Sequence, residues 1–330
     1  MPRKFALKVL KACILAKAGI RTPLKVNHYV SYKCNFKCDY CYVKECKIGK
    51  EISTEEIKEL MIKFKKMGTL VWTFIGGEPL LKQDIGKLIS HAKKIGLKTQ
   101  LSTNGYFIKS KIDEIKDIET IFISLEGSKE IHDEISFKGS YEKVIEAIDA
   151  LRTINKEVVI NTVLSKKNFD QIDFLINLVE KHNCKINFTP VYSVVEDAKK
   201  YQLNTEELKL VYKKIKNLKK TNKKISLSED AFKRTILYSE NKIKKYQKRC
   251  LAGILYCAVT PDGKVAPCYE KLKDKLKENG TYKDKLYSIK DPINCDCNIN
   301  CFYNLNELFG LKPKMILESS KNLLKNRRIY

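Results

Sequence analysis

Residues 24–41 read LKVNHYVSYKCNFKCDYC, a strand-like segment that leads directly into three closely spaced cysteines. Three thiolates in one short loop can hold three irons of a four-iron cubane and leave the fourth iron open, whereas four cysteines close a cluster that serves electron transfer. An open metal position is where chemistry takes place. The alternative for Cys34, Cys38 and Cys41 is a structural zinc ion with a distant fourth ligand such as His28, although zinc pairs usually come as two CxxC knuckles.

The chain around this loop alternates apolar strand-like runs with helical stretches. One helix opens at Ser53, which forms a capping box with Glu56. Six strands that alternate with helices predict a parallel sheet, and six units fall short of the eight in a closed barrel. We therefore predict an α/β fold, a partial (β/α)6 TIM-like barrel. The expected strands are LKVNHYVSYK, TLVWTFIGG, KTQLSTNG, TIFISLEG, EVVINTVLS and KINFTPVYS, and the expected helices lie near 53–67, 83–96, 109–117, 141–155 and 168–182.

Glycines and polar residues stand where these strands end. The carboxyl ends of parallel strands gather at one edge of the sheet, where catalytic groups of such folds lie. Glycines there also let the backbone approach a ligand closely. A plain turn or a polar strand end is the alternative for each position. The candidate site residues are Gly76, Gly77, Glu78, Pro79, Ser102, Thr103, Asn104, Ser124 and, inside the fifth strand, Asn161.

The spacing Cys34-x3-Cys38-x2-Cys41, with the aromatic Tyr40 before the last cysteine, resembles the hallmark of the radical S-adenosylmethionine (radical SAM) superfamily. The resemblance implies that these three cysteines hold a [4Fe–4S] cluster whose open iron is chelated by S-adenosylmethionine. Reduction then yields a 5′-deoxyadenosyl radical that abstracts a hydrogen atom from the substrate. In this interpretation the three cysteines are both metal ligands and catalytic residues, and Tyr40 is a cofactor contact.

Three strand-end segments are similar to further superfamily motifs. The resemblance implies that Gly76-Gly77-Glu78-Pro79 binds the methionine amine of the cofactor. It further implies that Ser124 contacts the ribose or the carboxylate and that Asn161 reaches the ribose. Ser102-Thr103-Asn104-Gly105 matches the family's TNG segment. Glu126 stands where the family has an aspartate, so the resemblance assigns it no role.

The segment Glu130-Ile-His132-Asp133 matches the start of the family's ExHDxxRG segment, but Ser136-Phe137 replaces the Arg-Gly. No contact is inherited from that loop. For His132 we expect a hydrogen bond that orders the loop, with a direct catalytic role as the alternative.

Six of the 12 cysteines fall near the carboxyl terminus, a clustering that favours metal. The spacing Cys250-x12-Gly263-x4-Cys268 resembles the opening of the SPASM or twitch auxiliary-cluster domains of the superfamily. The full SPASM pattern has a further cysteine at its end, and no cysteine follows Cys301 in the sequence, so the pattern is incomplete. We expect one auxiliary [4Fe–4S] cluster held by Cys250, Cys257, Cys268 and Cys301, with Cys295 and Cys297 assisting or holding a second cluster. A zinc site is the alternative.

The rest of the chain divides by composition. Residues 1–23 predict a basic amphipathic helix that packs on the domain or lies on a membrane. The sequence further predicts a radical SAM partial barrel at 24–203, a helical bridge at 204–248, an auxiliary-cluster domain at 249–310 and a basic tail at 311–330.

The net charge of +25 comes mostly from lysine spread along helices, which does not indicate a specific nucleic-acid partner. It suits an acidic electron donor, such as a flavodoxin or ferredoxin, or an anionic membrane surface. Without a spanning apolar segment or a signal peptide pattern, we expect a cytoplasmic protein. A peptide or protein is the expected substrate. The alternatives are a lipid, sugar or cofactor precursor and, as a non-enzyme, an iron–sulfur or zinc sensor module.

Overall fold

The computed structural model describes residues 2–17, 20–46, 50–191, 196–226, 229–240, 242 and 252–267. Strands and helices alternate from β1 to β6, as the sequence predicts. The helices are α1 Pro2–Lys17, α2 Thr54–Lys66, α3 Ile85–Lys94, α4 Lys129–Ile135, α5 Ser140–Thr153, α6 Ile172–Lys181, α7 Thr205–Thr221 and α8 Glu229–Ser239. The strands are β1 Lys25–Tyr29, β2 Val71–Ile75, β3 Lys98–Thr103, β4 Thr120–Ser124, β5 Glu157–Leu164, β6 Lys185–Pro190, β7 Ile225–Ser226, β8 Tyr256–Val259 and β9 Val265–Ala266.

These strands form one open sheet in the order β7-β6-β5-β4-β3-β2-β1-β8-β9. Strands β1 to β6 are parallel and follow chain order, which confirms the predicted partial barrel. The sheet is larger than the six strands predicted. Strand β7, from the expected bridge, pairs parallel to β6, and β8, from the expected auxiliary segment, pairs parallel to β1. The carboxyl ends of β1 to β6 therefore lie along one edge of the sheet.

The two faces of the sheet differ in chemistry because side chains alternate along each strand. The face under the helices carries fully buried apolar side chains, among them Trp72 and Phe74 of β2, which pack with Phe64 of α2. The opposite, inner face carries polar side chains. Thr73 donates a hydrogen bond to Gln100 (3.1 Å), and Asn187 donates one to Asn161 (2.8 Å). The inner face can therefore bind polar ligands.

Local signals explain most helix boundaries, with one exception. The capping box at Ser53 and Glu56 is present, with the Glu56 backbone N–H donating to the Ser53 hydroxyl (3.3 Å). The helix expected near 109–117 is wrong, since the segment forms only a short 3-10 helix, Lys109–Lys111, followed by turns. Helices cover the remaining strand crossovers that the sequence predicts.

Helix α1 packs at the amino ends of the strands. Val9, Ala12, Cys13 and Ala16 are buried in a small cluster with Leu24 and with apolar residues before β2 and β8. The opposite side of the helix exposes three apolar side chains, Leu7, Leu10 and Ile14. Within the described ranges no helix is long and apolar enough to cross a membrane.

Candidate active site at the carboxyl ends of the strands

The cysteine loop follows β1 and stays paired with the end of β2. The Val30 N–H donates to the Ile75 carbonyl (2.9 Å), and the Gly77 N–H donates to the Ser31 carbonyl (2.8 Å). A Cβ atom on Gly77 would lie 2.1 Å from the Lys33 carbonyl oxygen, and one on Gly76 would lie 2.2 Å from that of Ser31. Glycine is needed at both positions because any side chain there would clash with the backbone of the cysteine loop, which packs closely against the end of β2.

The three thiols share this loop. Cys34 is exposed, while Cys38 and Cys41 are half-buried. The Cys41 N–H donates to the Cys38 carbonyl (3.1 Å), which closes a tight turn between the last two cysteines. Burial raises the pKa of Cys34. Burial, followed by the nearby Cys41 and Glu126, raises the pKa of Cys38 to about 12. The protein alone therefore keeps the Cys34 and Cys38 thiols protonated, and a positively charged metal centre is what converts such thiols to thiolates.

Glu78 joins the ends of β2 and β3. It is fully buried, and its carboxylate accepts hydrogen bonds from the Thr103 hydroxyl (2.8 Å), the Asn104 N–H (2.8 Å) and the Leu80 N–H (3.0 Å). Burial raises the pKa of Glu78 to about 7, and the three hydrogen bonds oppose this shift. The side chain of Glu78 is thus occupied within the protein.

Asn104 connects β3 to the cysteine loop. Its side-chain amide donates to the Asn35 side-chain oxygen (2.9 Å) and lies 4.0 Å from the Cys34 sulfur. Thr103 is buried beneath it, and its hydroxyl accepts a hydrogen bond from the Gly105 N–H (3.1 Å). The predicted Thr103-Asn104 pair is therefore brought beside the first cysteine.

Ser124, Asn161 and Asn187 lie in register on adjacent strands β4, β5 and β6. The Asn187 amide donates to the Asn161 side-chain oxygen, which leaves the Asn161 amide nitrogen directed away from Asn187. Asn187 is not among the site residues predicted from the sequence. Period-two alternation in KINFTP could have found it, since that pattern places Asn187 and Thr189 on one face. The row offers hydroxyl and amide groups on the inner face.

A second tether fixes the loop from β5 and beyond. The Asp39 carboxylate accepts hydrogen bonds from the Lys167 ammonium (3.1 Å) and the Tyr201 hydroxyl (2.9 Å). Lys167 also forms an ion pair with Glu134 (2.9 Å). These partners lie 128 and 162 residues from Asp39, so no local sequence pattern could reveal them.

The segment after α4 also contacts the cysteine loop. The buried His132 ring accepts a hydrogen bond from the Glu126 N–H (3.1 Å), as expected for a loop-ordering role, and burial lowers the pKa of His132 to about 4. Ser136 is hydrogen-bonded to Cys38, and Phe137 stacks on Phe36 with ring centroids 5.6 Å apart. The two residues that replace the expected Arg-Gly therefore lie against the thiols.

The model of the radical SAM superfamily matches residues 29–179, the stretch that runs from the last residue of β1 through β5 and contains the described tethers of the loop except Tyr201. The chain carries a radical SAM domain. Homologues in that superfamily are enzymes, and the family uses a [4Fe–4S] cluster and S-adenosylmethionine.

Curated relatives of this radical SAM chain include enzymes of two different activities. GTP 3′,8-cyclase of Clostridium botulinum (strain Okra / Type B1) is 28% identical over 294 residues, which cover 82% of this chain and 89% of the cyclase. Fe-coproporphyrin III synthase of Methanosarcina barkeri is 28% identical over 184 residues, 54% of this chain and 46% of the synthase. The chain thus spans less than half of the synthase.

Solved structures with the same fold include two that are bound to peptides. SuiB of Streptococcus suis, bound to its precursor peptide SuiA, has a TM-score of 0.67 and 18% identity, with 83% of this chain and 65% of SuiB covered. The enzyme anSMEcpe, bound to AdoMet and the Cp18Cys peptide, has a TM-score of 0.62 and 16% identity, with 91% and 99% covered. At these identities the likeness shows the fold.

Five of the six carboxyl-terminal cysteines lie outside the described residues: Cys250, Cys268, Cys295, Cys297 and Cys301. Cys257 lies in β8, in register with Val26 of β1, and is 1% exposed within the main hydrophobic core. Burial raises its pKa, so without metal it is a neutral thiol.

Proposed function

We propose that this enzyme cleaves S-adenosylmethionine reductively at a [4Fe–4S] cluster on Cys34, Cys38 and Cys41, and abstracts a hydrogen atom from a substrate on the inner face of the sheet. The observation that carries the proposal is the loop itself. It presents three soft sulfur donors at one edge of a parallel sheet, held from β2, β3, β4 and β5. Nowhere in the described ranges is a tight group of three His, Cys, Asp or Glu side chains that could hold a single metal ion. A cubane spreads its ligands over separate irons and requires no such tight group.

The cofactors would supply one electron and a primary carbon radical, and the protein supplies their positions. Ser124 and the free amide of Asn161 offer hydrogen-bond donors on the inner face beside the loop. The backbone at Gly76 and Gly77 fixes the distance between the cysteine loop and the end of β2. Phe36, within the loop, stacks on Phe137, which places an apolar ring pair beside the thiols.

The substrate that we propose is a peptide. Hydroxyls and amides line the inner face of the described strands at Thr73, Gln100, Ser124, Asn161 and Asn187, and such groups match the neutral hydrogen-bonding groups of a peptide backbone. The fold is shared with SuiB and anSMEcpe, which bind peptides.

A nucleotide or another cofactor precursor is the second candidate, because GTP 3′,8-cyclase is similar over most of its length. A triphosphate requires several cations around it. Among the described inner-face positions, lysines lie at the amino ends of three strands, Lys25 on β1, Lys98 on β3 and Lys185 on β6, far from the carboxyl ends. Lys98 and Lys185 are paired with Glu119 and Glu157. The described inner face therefore suits a neutral substrate better.

We further propose an auxiliary [4Fe–4S] cluster on the carboxyl-terminal cysteines, with Cys250, Cys257, Cys268 and Cys301 as ligands and Cys295 and Cys297 beside them. Its support is the sequence spacing together with the shared fold of SuiB and anSMEcpe. A cluster with four cysteine ligands leaves no iron open, so it would accept the electron that the substrate radical releases.

The electron donor that we propose is an acidic flavodoxin or ferredoxin. Lys33 and Lys37 are exposed on either side of the exposed Cys34, which gives the loop a positive rim. Charge steering of this kind weakens with salt. We expect the rate of reduction by a flavodoxin to fall as ionic strength rises, while reduction by dithionite stays constant.

Contact with an anionic membrane is a separate proposal, carried by α1. Leu7 and Ile14 are 62% and 57% exposed, Lys8 and Lys11 are exposed beside them, and the helix contains no acidic residue. Apolar and basic side chains together suit an anionic lipid surface. Flotation with phosphatidylserine vesicles should carry the full chain but not a Leu7→Ser/Ile14→Ser variant, and failure of the full chain to float would remove this proposal.

The central experiment is anaerobic reconstitution followed by incubation with dithionite and S-adenosylmethionine. We expect the wild type to bind iron and to form 5′-deoxyadenosine. A Cys34→Ala/Cys38→Ala/Cys41→Ala variant should lose the iron bound at the loop and form 5′-deoxyadenosine only at background level. Peptide and GTP added in parallel should differ in how strongly they stimulate 5′-deoxyadenosine formation. If wild type and the triple variant bind the same iron and release the same product, the proposal is wrong.

A further inference from the structure

Glu126 is a buried carboxylate at the end of β4, and the radical SAM reaction assigns it no role. Its side chain is 2% exposed. The carboxylate accepts hydrogen bonds from the Val163 N–H (3.0 Å) and the Asn168 amide (3.4 Å), and it is also hydrogen-bonded to the side chain of Tyr40. One carboxylate therefore joins the ends of β4 and β5 to the cysteine loop.

The base of this carboxylate is rigid. The Asn168 amide also donates to the Glu126 carbonyl (2.9 Å) and to the Val163 carbonyl (3.1 Å), and Asn168 itself is fully buried. The Glu126 N–H is held by His132 (3.1 Å). Backbone and side chain of Glu126 are both fixed by the barrel, so the group that reaches toward Tyr40 has little freedom of its own.

Tyr40 stands between Asp39 and Cys41 in the loop, and Asp39 is fixed by Lys167 and Tyr201. Two consecutive side chains are thus anchored to different parts of the barrel. Because one planar peptide bond joins Asp39 to Tyr40, fixing both side chains restricts the backbone between Cys38 and Cys41, and with it the directions in which their thiols can point. Glu126 also acts electrostatically on Cys38.

We propose that Glu126 is a positioning residue for the cluster: through Tyr40 it holds the Cys38–Cys41 half of the loop in the orientation that lets the open iron accept S-adenosylmethionine. This inference rests on the proposed function. The length of the side chain matters in it. An aspartate is one methylene shorter and cannot hold Val163, Asn168 and Tyr40 together without moving the loop.

The test uses the full chain, reconstituted anaerobically, in wild type and the variants Glu126→Asp, Tyr40→Phe and the double variant. Thr162→Val is the matched control. The Thr162 hydroxyl makes a buried hydrogen bond from β5 to the Leu125 carbonyl (2.7 Å) beside Glu126, but it does not contact the loop. The measurements are iron per chain, the EPR spectrum of the reduced cluster with and without S-adenosylmethionine, and KM and kcat for 5′-deoxyadenosine formation.

We expect Glu126→Asp and Tyr40→Phe each to retain iron, to raise the KM for S-adenosylmethionine about tenfold, equivalent to about 1.4 kcal/mol, and to change kcat less. The EPR spectrum of the reduced cluster with S-adenosylmethionine should be broader in both variants than in wild type. Because both single variants break the same connection, the one between Glu126 and Tyr40, the double variant should be no worse than the more impaired single variant. Thr162→Val should lose stability but keep the wild-type spectrum and KM.

Several results would overturn the inference. They are a wild-type spectrum and KM in Glu126→Asp, additive losses in the double variant, or the same broadened spectrum in Thr162→Val. If Glu126→Asp fails to fold, Tyr40→Phe alone must still broaden the spectrum. Wild type that binds no iron at the loop contradicts the proposed function instead, so the two failures are distinguishable.

Discussion

Two neighbouring strands carry cysteines in opposite surroundings. On β1 the chain leaves the strand and places Cys34, Cys38 and Cys41 in a loop that is partly open to solvent and surrounded by polar tethers. On β8, which pairs with β1, Cys257 lies within the strand among apolar side chains. The three loop cysteines fall within eight residues of sequence, whereas the six carboxyl-terminal cysteines are spread over residues 250–301.

The difference shows how position along a strand decides what a thiol can do. A cysteine past the carboxyl end can turn toward a shared ligand, since the loop bends freely there. A cysteine within a strand is directed by the pleat, and here the pleat directs Cys257 into the core. The three loop thiols are thus presented together at the edge of the sheet, whereas the Cys257 thiol is enclosed by apolar side chains.

The largest expected effect tests the first half of this comparison. Replacing any one of the loop cysteines by alanine leaves two sulfur donors and should abolish the cluster at the loop. We expect 5′-deoxyadenosine formation to fall by at least about 10²-fold, the order of loss that follows removal of one essential catalytic group. Product quantification after single turnover measures this effect. Turnover near wild type in Cys34→Ala would contradict a ligand role for that residue.

The next effect concerns the backbone beneath the loop. A Cβ atom in Gly77→Ala meets the Lys33 carbonyl at 2.1 Å, so the loop must move away from β2. We expect about 1–3 kcal/mol lower unfolding free energy and partial loss of loop iron. Gly86→Ala is the control, because the nearest atoms to its Cβ all belong to Glu114 and lie at 3.1 Å or more, and alanine favours the helix. Equal iron in both variants would show that the close approach is not needed.

The second half of the comparison predicts an intermediate effect. If Cys257 is an auxiliary ligand, Cys257→Ala should lose about half of the bound iron, since one of two four-iron clusters is lost. The EPR spectrum of the loop cluster should remain unchanged. Cys184→Ala is the control, because Cys184 is also buried in the core, with 3% exposure. Equal iron in the two variants, with only lower stability, would make Cys257 a core residue.

The smallest expected effect on iron comes from His28, which lies on β1 but on the face under the helices. Neither ring nitrogen has a hydrogen-bond partner among the described residues, and the ring packs edge-on against Trp72. Burial, aided by the Lys82 charge, lowers the pKa of His28 from 6.5 to about 3. The unfolded chain therefore binds more protons between these values, and stability falls as the pH falls through this window.

Replacing the His28 ring should weaken the dependence of the unfolding free energy on pH at acidic pH, and it should leave the iron content unchanged. We expect the unfolding free energy of His28→Leu to depend less on pH between about 6.5 and 4 than that of wild type. Denaturant unfolding at several pH values measures the difference. Glu78 and Glu126 have raised pKa values and give the opposite slope between about 4.5 and 7, so the variant must be compared with wild type at each pH. Loss of iron in His28→Leu would place the ring in the site after all.

The sequence by itself determined the alternation of strands and helices and the three-cysteine loop. Both depend on short-range patterns: apolar runs of strand length, a capping box at Ser53, and a spacing that a single loop satisfies. The carboxyl-end position of Glu78, Thr103 and Asn104 followed from the parallel order of the strands. These features need no knowledge of distant contacts.

Only the tertiary structure decided what those residues touch. Gly76 and Gly77 bring two backbones together, Glu78 is occupied by β3, and Glu126 reaches Tyr40 across the loop. It also showed that β7 and β8 extend the sheet beyond six strands. The partners in these contacts lie tens to more than a hundred residues apart, and their meeting depends on how the parallel strands align, which no local pattern encodes.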